Sequence, residues 1–312
     1  MDKKAIRIIY MGTPDFAVES LRALVDGGYN VVAVVTMPDK PAGRGHHLQF
    51  SAVKQYALSV GLPVLQPERL KDKLFLEELR SYNADLQIVV AFRMLPEVVW
   101  NMPRLGTFNL HASLLPQYRG AAPINWAVMN GDDETGVTTF MLQHEIDTGN
   151  LIMQQRISIA EDENVGSVHD RLMLLGATLV TQTVDAIITA DINGVDLQTT
   201  PQIDSAELKP APKIFKDTCM IDFSWNANRI RNHVRGLSPY PGAWIADLPI
   251  NHPLADILKG AKVYKVEVTN QSDIKGHIII PCLDGYVDII ELQLPGKKRM
   301  NASALLNGLK NK

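Results

Sequence analysis

The sequence predicts an α/β fold in which a doubly wound, mostly parallel sheet is followed by a small β-barrel domain. In residues 1–200, short apolar runs alternate with segments of helical spacing, as in successive β-α-β units. Beyond residue 212, apolar residues mostly alternate with polar ones, which is typical of antiparallel strands. Residues 201–212 (PQIDSAELKPAP) are polar and contain prolines. We therefore predict domains over residues 1–200 and 213–312, joined by a linker over residues 201–212.

The first domain is predicted to begin with a strand, a helix and a second strand. Ile6–Met11 is an apolar run that ends at a Gly-Thr-Pro-Asp turn, so it predicts a buried strand. Phe16–Val25 has apolar residues at helical spacing and stops before Gly27 and Gly28. Val31–Thr36 is again continuously apolar and predicts the neighbouring buried strand.

The same alternation continues along the rest of this domain. Short apolar runs predict three further strands, at Leu62–Leu65, Leu86–Phe92 and Gly136–Leu142. Helical spacing predicts three further helices, at Ser51–Ser59, Lys71–Tyr82 and Val165–Ala190. Helices that connect parallel strands cover both faces of a sheet, so we predict helices on both sides.

The second domain is predicted to be a small, OB-like β-barrel with one helix. Residues Tyr264–Val268 alternate between apolar and charged side chains. Ile278–Leu283 and Tyr286–Leu294 flank an Asp-Gly pair, which is a strong hairpin signal. The helix is predicted over Asn226–Arg235 and ends at Gly236.

Composition and charge favour a cytoplasmic enzyme. The net charge is −3, but residues 205–312 carry 15 basic and 10 acidic side chains, so the basic C-terminal part permits a polyanionic partner. The alternative is that basic residues are more frequent in this part of the chain by chance.

The two cysteines, Cys219 and Cys282, are too few for a metal cluster or a disulfide framework. The N-terminus lacks a signal-peptide pattern, and no uninterrupted apolar run approaches the length of a membrane span, so no membrane partner is expected. With no long apolar stripe evident, we predict a monomer.

Three polar side chains form a candidate catalytic set. Asn109 and His111 lie two residues apart in a short apolar segment, so an extended chain directs both to one face. Asp147 follows in an Ile-Asp-Thr-Gly turn. An amide, an imidazole and a carboxylate suit acyl transfer, which requires an oxyanion donor and a group that titrates near neutrality. Taken alone, Asn109 and His111 are also compatible with ordinary polar residues at a strand end.

The surrounding string, FNLHASLLPQYRGAAPINW, resembles the 10-formyltetrahydrofolate-dependent formyltransferases, whose pattern is Asn-x-His-x-Ser-Leu-Leu-Pro with a downstream Asp. The resemblance implies a Rossmann-like catalytic domain, 10-formyltetrahydrofolate as co-substrate and no metal. It also implies that Asn109, His111 and Asp147 are catalytic. The residues matching the tetrahydrofolate-binding loop are Ser113, Leu114, Leu115 and Pro116.

Other segments resemble the branch of this family that formylates initiator methionyl-tRNA. TMPDKPAGRG (residues 36–45) resembles its tRNA-contacting insertion, although such a string is also typical of an ordinary mobile surface loop. IRNHVRGLSPYPGAW and LQLPGKKRM resemble its C-terminal domain, whereas the helix pattern by itself predicts a solvated face for Arg231 and Arg235. The resemblance implies a set of tRNA-binding residues: Lys40, Arg44, Arg231, Arg235, Lys297 and Lys298.

Two further segments concern the shape of the site. Gly12–Phe16 joins a strand to a helix but lacks a Gly-x-Gly-x-x-Gly pattern, which disfavours a dinucleotide site. In the family a similar loop lies near the amino-acid end of the substrate, and Phe16 fits either that role or the core. Arg93, in the string AFRMLP, replaces the glycine-containing stretch typical of the family beside the folate.

Two alternative functions follow from the same residues. A sugar-nucleotide or other small-amine formyltransferase would share the catalytic set, but it needs neither the Arg44 loop nor a basic C-terminal domain. An RNA-binding protein without activity would not need the complete set of Asn109, His111 and Asp147. Formylation of free amino sugars without tRNA distinguishes the first alternative, and folate-dependent formyl release distinguishes the second.

Overall fold

A seven-stranded sheet forms the centre of the N-terminal part of the chain in the computed structural model, which describes residues 2–42, 47–203, 207–249 and 252–310. The strands in this part of the chain are β1 (Ile8–Gly12), β2 (Val31–Val35), β3 (Lys40–Ala42), β4 (His47–Gln49), β5 (Val64–Leu65), β6 (Leu86–Val90), β7 (Thr107–His111), β8 (Glu134–Met141) and β9 (Leu151–Ser158). The helices are α1 (Phe16–Asp26), α2 (Ala52–Ser59), α3 (Lys73–Ser81), α4 (Glu97–Trp100), α5 (Pro123–Met129) and α6 (Val165–Asn193).

The order of strands confirms a doubly wound, mostly parallel sheet. The order is β5-β2-β1-β6-β7-β8-β9. β1 pairs in parallel with both β2 and β6, and β6 pairs in parallel with β7. β8 then runs antiparallel to β7. Every residue of β1 and β6 is buried, as expected for strands covered on both faces.

Side-chain caps explain where two of the helices begin. Ser51 precedes α2 and accepts a hydrogen bond from the backbone N–H of Lys54. Asp72 precedes α3 and accepts from the backbone N–H groups of Leu74 and Phe75. Each cap satisfies backbone donors that the first helical turn leaves unpaired. The structure thus starts these helices one and two residues after the first residue that helical spacing predicts.

Helix α6 is long and apolar. Among the described residues it is the one helix whose length and composition would allow it to cross a membrane, and half of its most apolar window is buried inside the protein. Val168, Leu172, Val180 and Val184 are completely buried along it. A core helix of a water-soluble protein has the same burial pattern.

The predicted surface loop at residues 36–45 contains regular structure. β3 and β4 pair antiparallel, with Lys40 opposite Gln49 and Ala42 opposite His47. The segment is therefore a β-hairpin, and its connection lies at residues 43–46, outside the described residues. Arg44, predicted to bind tRNA, falls within that connection. For Lys40, the structure describes the backbone pairing with Gln49.

The C-terminal part of the chain forms a second, antiparallel sheet. Its strands are β10 (Ala243–Trp244), β11 (Lys262–Thr269), β12 (Ile279–Cys282), β13 (Gly285–Gln293) and β14 (Met300–Asn301). Its helices are α7 (Ala227–Gly236), α8 (Ala255–Leu258) and α9 (Ala302–Lys310), with a 3-10 turn at Asp217–Cys219. The order is β10-β11-β13-β12, and β14 pairs with β13. The sheet curls into a half-barrel, which confirms the predicted class of this domain, and α8 and α9 add to the single predicted helix.

Contacts divide the chain into two compact units whose bounds differ from the sequence prediction. Unit 1 comprises Met1–Arg119, Gly136–Ile157 and Asp170–Lys209. Unit 2 comprises Gly120–Thr135, Ser158–His169 and Pro210–Lys312. Most of the predicted linker, residues 201–209, therefore belongs to unit 1. Two segments of the predicted first domain, Gly120–Thr135 and Ser158–His169, belong to unit 2. They join it through packing between residues distant in the chain, which the local periodicity of a sequence does not indicate.

The core of unit 2 holds a buried histidine, His233 on α7. Its ring meets that of Trp225 edge-on, with centroids 5.1 Å apart. Burial lowers the pKa of His233 from 6.5 to about 4, because the apolar surroundings disfavour the charged imidazolium. Between these two pH values the unfolded chain binds a proton that the folded chain excludes, so stability falls as the pH is lowered through this window.

We expect acid to destabilise unit 2 through His233. At about pH 5 the linkage amounts to about 2 kcal/mol of unfolding free energy relative to neutral pH. Urea unfolding, followed by the fluorescence of Trp126, Trp225 and Trp244 in this unit, measures the loss. His233→Gln should flatten the pH dependence. A variant whose stability falls as steeply as that of the wild type would assign the acid sensitivity to other groups.

Candidate active site

Strand β7 carries Asn109 and His111 to one face of the sheet in unit 1. They lie two residues apart on the strand, as predicted, and pair in register with Phe140 and Thr138 of β8. Asn109 is half-buried, whereas only 6% of His111 is exposed. The side-chain oxygen of Asn109 is buried and has no hydrogen-bond partner among the described residues. Buried polar atoms usually have a hydrogen-bond partner, so this oxygen keeps an unused acceptor position on the strand face that it shares with His111.

The imidazole of His111 is oriented by a backbone carbonyl. Its Nε2 lies 2.8 Å from the carbonyl oxygen of Tyr118. A carbonyl only accepts hydrogen bonds, so Nε2 carries the proton, and in the neutral ring Nδ1 is the basic nitrogen. Tyr118 has a φ of +60°, in the left-handed region that few non-glycine residues adopt. Tyr118 lies in the Tyr-Arg-Gly string that follows the catalytic motif, but its contact is made by the backbone, so its side chain gives no signal for this role in the sequence.

Asp147 faces the basic nitrogen of His111. Its Oδ2 lies 3.9 Å from Nδ1, and the side chains are 11% and 7% exposed. This separation exceeds a hydrogen bond but allows a strong charge interaction, so the carboxylate stabilises positive charge on the ring. The hydrogen bond that orients the ring therefore comes from Tyr118, and Asp147 lies beyond hydrogen-bond distance of it.

The turn that carries Asp147 has little conformational freedom. Asp147 itself has a φ of +55°. Thr148 Oγ1 donates to the carbonyl of Glu145 at 3.1 Å. A Cβ atom added to Gly149 would lie 1.6 Å from the carbonyl oxygen of Met141, so only glycine fits there. The turn thus packs tightly against the end of β8.

The loop Ser113–Pro116 is held mostly by its own and neighbouring polar groups. Ser113 Oγ donates to the carbonyl of Gln117 at 2.6 Å, and the Ser113 side chain is fully buried. Thr138 Oγ1 donates to the carbonyl of Ser113 at 2.6 Å. Leu115 is buried as well, whereas Leu114 and Pro116 are half-buried. The side chains of Ser113 and Leu115 therefore hold the loop from inside, and Leu114 and Pro116 are its more accessible members.

Arg93 fixes the loop that follows β6. It donates from Nη1 to the carbonyl of Glu68 at 2.8 Å and from Nη2 to that of Pro67. Burial lowers the pKa of its guanidinium. Ala91, at the start of the same loop, has a φ of +46°. Arg93, which departs from the family pattern, thus ties this loop to the segment that follows β5.

The Gly12–Phe16 connection, between β1 and α1, carries a buried phenylalanine, a helix cap and a buried hydroxyl. Phe16 is buried, as the core alternative predicts, and Asp15 caps α1 by accepting from the backbone N–H of Phe16. Thr13 Oγ1 is buried and has no hydrogen-bond partner among the described residues. Thr13 directly follows the last residue of β1.

Two predicted tRNA contacts in α7 have structural partners. Arg235 is 9% exposed, and its guanidinium bonds the carbonyls of Ala160 and Glu163 and the side chain of Asn232. The predicted solvated position of Arg235 is wrong, because the helix is packed on that side. Arg231 pairs with Glu161, with Nη1 2.7 Å from Oε1. These interactions join α7 to residues 160–163 of the same unit, and the contact of Arg231 and Arg235 with tRNA stays a prediction.

Lys297 and Lys298 remain accessible in the turn between β13 and β14. Both are exposed. The adjacent Arg299 is instead bound to Glu291 and lies over the ring of Tyr264 at 4.2 Å. Among the described residues, no group of three or more His, Cys, Asp and Glu side chains is placed to hold a metal ion.

Family models cover most of the chain. The formyl transferase model matches residues 4–184, and the formyl transferase C-terminal domain model matches residues 213–310. A methionyl-tRNA formyltransferase of Bacteroides thetaiotaomicron is 58% identical over 317 residues, which covers 99% of this chain and 98% of that protein. A methionyl-tRNA formyltransferase of Parabacteroides distasonis is 60% identical, with the same coverage.

Solved structures show the same fold at much lower identity. WlaRD, a sugar 3N-formyl transferase, has a TM-score of 0.65 at 19% identity, covering 94% of this chain and 99% of that chain. HypX from Aquifex aeolicus, in complex with tetrahydrofolic acid, has a TM-score of 0.64 at 16% identity, covering 97% of this chain and 47% of that chain. The family models and the near full-length relatives show that the chain belongs to the formyl transferase family and, within it, to the methionyl-tRNA formyltransferases.

Proposed function

We propose that this protein transfers a formyl group from 10-formyltetrahydrofolate to the α-amine of methionine on initiator tRNA, giving formylmethionyl-tRNA for the initiation of translation. The observation that carries the proposal is the arrangement in unit 1. Asn109 and His111 share one strand face, and the carboxylate of Asp147 lies 3.9 Å from the basic nitrogen of His111. Near full-length identity to methionyl-tRNA formyltransferases supports the substrates.

Each side chain of the set has a separate role in this reaction. The Asn109 amide donates to the formyl oxygen as negative charge develops there. His111 Nδ1 accepts the proton that the attacking amine loses, since Nε2 is already bonded to Tyr118. The ring then returns this proton to the folate nitrogen as the bond between that nitrogen and the formyl carbon breaks. Asp147 stabilises the resulting imidazolium, and the burial of both side chains strengthens that interaction.

The residues around this set suit a folate co-substrate. Two loops of unit 1, residues 91–96 and 142–149, carry the exposed apolar side chains of Met94 and Ile146. Apolar surface beside backbone polar groups suits a flat, polar-edged ring such as a pterin. We propose that Leu114 and Pro116 complete the binding surface, with Ser113 and Leu115 holding the loop from inside. When bound, the folate supplies the activated formyl group.

For the tRNA we propose contacts on two segments. One is the β3–β4 hairpin with Lys40 and Arg44, and the other is the exposed turn with Lys297 and Lys298.

Arg44→Ala should lower formylation of tRNA and leave folate binding unchanged. An equal loss with a small-amine acceptor would contradict this role. We further propose that the protein is cytoplasmic, because its macromolecular substrate belongs to translation, and that it is a monomer, because its sequence shows no long apolar stripe.

The two lysines should contribute to tRNA affinity by neutralising phosphates. We expect Lys297→Ala with Lys298→Ala to weaken tRNA binding and to shallow its salt dependence by about one unit for each phosphate that is no longer neutralised. Lys259→Ala with Lys265→Ala is the matched control, because it removes the same net charge from exposed lysines already paired with Asp247 and Glu267. Equal effects of the two double variants would indicate a general charge effect.

The proposed function is tested directly by product formation. The protein is incubated with 10-formyltetrahydrofolate and methionyl initiator tRNA, and formylmethionine is measured after deacylation. A parallel incubation replaces the tRNA with amino-sugar nucleotides, the substrates expected for a small-amine formyltransferase. Formylation of the tRNA alone is the expected result. Formylation of the sugar alone would replace the proposal, and folate-dependent release of formate without either product would contradict both.

A further inference from the structure

Gln202 lies in the stretch that the sequence predicts to be a linker, yet the structure includes it in unit 1. Just before it, Thr200 pairs with Leu151 through reciprocal backbone hydrogen bonds, both 2.8 Å long. This pairing places the Gln202 side chain, which is half-buried, beside the turn that carries Asp147. A flexible linker would not bring a side chain to a fixed place in this way.

The amide of Gln202 uses all of its hydrogen-bonding capacity. Its Nε2 donates to the carbonyls of Asp147 and Gly149, each at 2.8 Å. Its Oε1 accepts from Nη2 and Nε of Arg119, at 2.7 and 3.1 Å. The partners are two acceptors on one side and a cationic donor on the other, so the amide has one favourable orientation.

These contacts join the two turns that hold the catalytic pair. On one side is the turn of Asp147, whose carboxylate faces Nδ1 of His111. On the other side is Arg119, adjacent to Tyr118, whose carbonyl binds Nε2 of the same ring. Asp147 and Tyr118 both have positive φ values, +55° and +60°. Such backbone conformations are strained for non-glycine residues and persist only where surrounding contacts hold them.

We infer that Gln202 is a positioning residue that sets the separation between His111 and Asp147. It acts through the backbone of the two turns and does not touch the reacting atoms. Because the Nδ1 to Oδ2 distance is 3.9 Å, beyond hydrogen-bond length, no direct bond between the two side chains maintains it. The inference rests on the proposed function, since it assigns Gln202 to the same catalytic pair.

A second set of hydrogen bonds supports the same arrangement. The backbone N–H of Tyr118 donates to the carbonyl of Lys209 at 2.7 Å, and the backbone N–H of Lys209 donates to Gln117 Oε1 at 2.9 Å. The chain after Gln202 thus also holds the turn whose carbonyl orients His111. Two parts of the segment predicted as a linker, at Gln202 and at Lys209, therefore contact the turns around one imidazole.

Two substitutions of Gln202 separate its donor side from its acceptor side. Gln202→Leu removes both sets of bonds. Gln202→Glu keeps an acceptor for Arg119 but turns carboxylate lone pairs toward the carbonyls of Asp147 and Gly149. We expect both variants to lower kcat by about 10- to 100-fold, since small displacements of catalytic groups cost this much. The KM values for folate and tRNA should change by less than about 3-fold.

The matched control is Gln182→Glu. Gln182 is an exposed glutamine of unit 1 that accepts a hydrogen bond from Gln155 at 3.1 Å. The substitution makes the same chemical change away from the catalytic turns, so kcat should be unchanged. Thermal melting of each variant reports whether the fold is intact. If neither Gln202 variant folds, the residue belongs to the fold and the inference is wrong.

A double-mutant cycle with Asp147→Asn tests the mechanism of the effect. If Gln202 acts by placing Asp147, Gln202→Leu should cost less than about 3-fold once the carboxylate has been removed. A normal kcat for Gln202→Leu, or a full multiplicative loss in the Asp147→Asn background, would overturn the inference. Failure of the proposed function has a different result, because the wild-type protein would then make no formylmethionyl-tRNA.

Discussion

Replacing His111 with alanine should lower kcat by about 100- to 10,000-fold, because the attacking amine then loses its proton acceptor. The ring is almost completely buried, and its Nε2 is already bonded to the carbonyl of Tyr118, so only Nδ1 is available for this task. Single-turnover formylation with both substrates saturating separates this loss from weaker binding. A variant that retains near-normal turnover would remove His111 from the mechanism.

The same experiment extends to the partner of His111. Asp147→Asn keeps the shape of the side chain but removes the charge that faces Nδ1 at 3.9 Å. If the carboxylate acts by stabilising the charged ring, the double variant with His111→Ala should be little worse than His111→Ala alone. Multiplicative losses would show that the two residues act independently.

Replacing Asn109 with alanine should lower kcat by about 100- to 1000-fold, because it removes a hydrogen-bond donor from the developing oxyanion. Asn109 is half-buried, and its side-chain oxygen has no protein partner among the described residues, so little structural bonding is lost with it. tRNA affinity and thermal stability should stay nearly unchanged. Stopped assays at saturating substrates, together with tRNA binding at constant salt, measure the two effects.

An isosteric variant makes the test of Asn109 sharper. Asn109→Asp preserves the volume on β7 but replaces a donor with a negatively charged acceptor. It should therefore be at least as inactive as Asn109→Ala, since a carboxylate opposes the charge that develops on the formyl oxygen. Higher activity in Asn109→Asp than in Asn109→Ala would indicate that the position serves packing.

Local sequence patterns predicted the main elements of the first unit because each depends on residues close in the chain. Apolar runs indicated the parallel strands β1, β2 and β6, and helical spacing indicated α1 and α6. The hairpin between β12 and β13 followed from Asp284 and Gly285 in the same way. Strand alternation also placed Asn109 and His111 on one face, which the register of β7 reproduces.

Predictions failed where contacts between distant residues decide the environment. Arg235 looked solvated on the helix pattern, but carbonyls 75 and 72 residues away bind its guanidinium. The segment around residues 36–45 looked like a loop, although pairing of β3 with β4 makes it a hairpin. Proline at a strand position is uncommon, so Pro41 in β3 provided no strand signal.

The sequence by itself determined which chemical groups are present and which strand face carries the first two of them. Only the tertiary structure decided how they are held. His111 takes its orientation from the backbone of Tyr118, which has no side-chain signature in the sequence. Gln202 reaches Asp147 across 55 residues and Arg119 across 83. Such contacts arise when separate turns pack together, and neither helical nor strand periodicity encodes them.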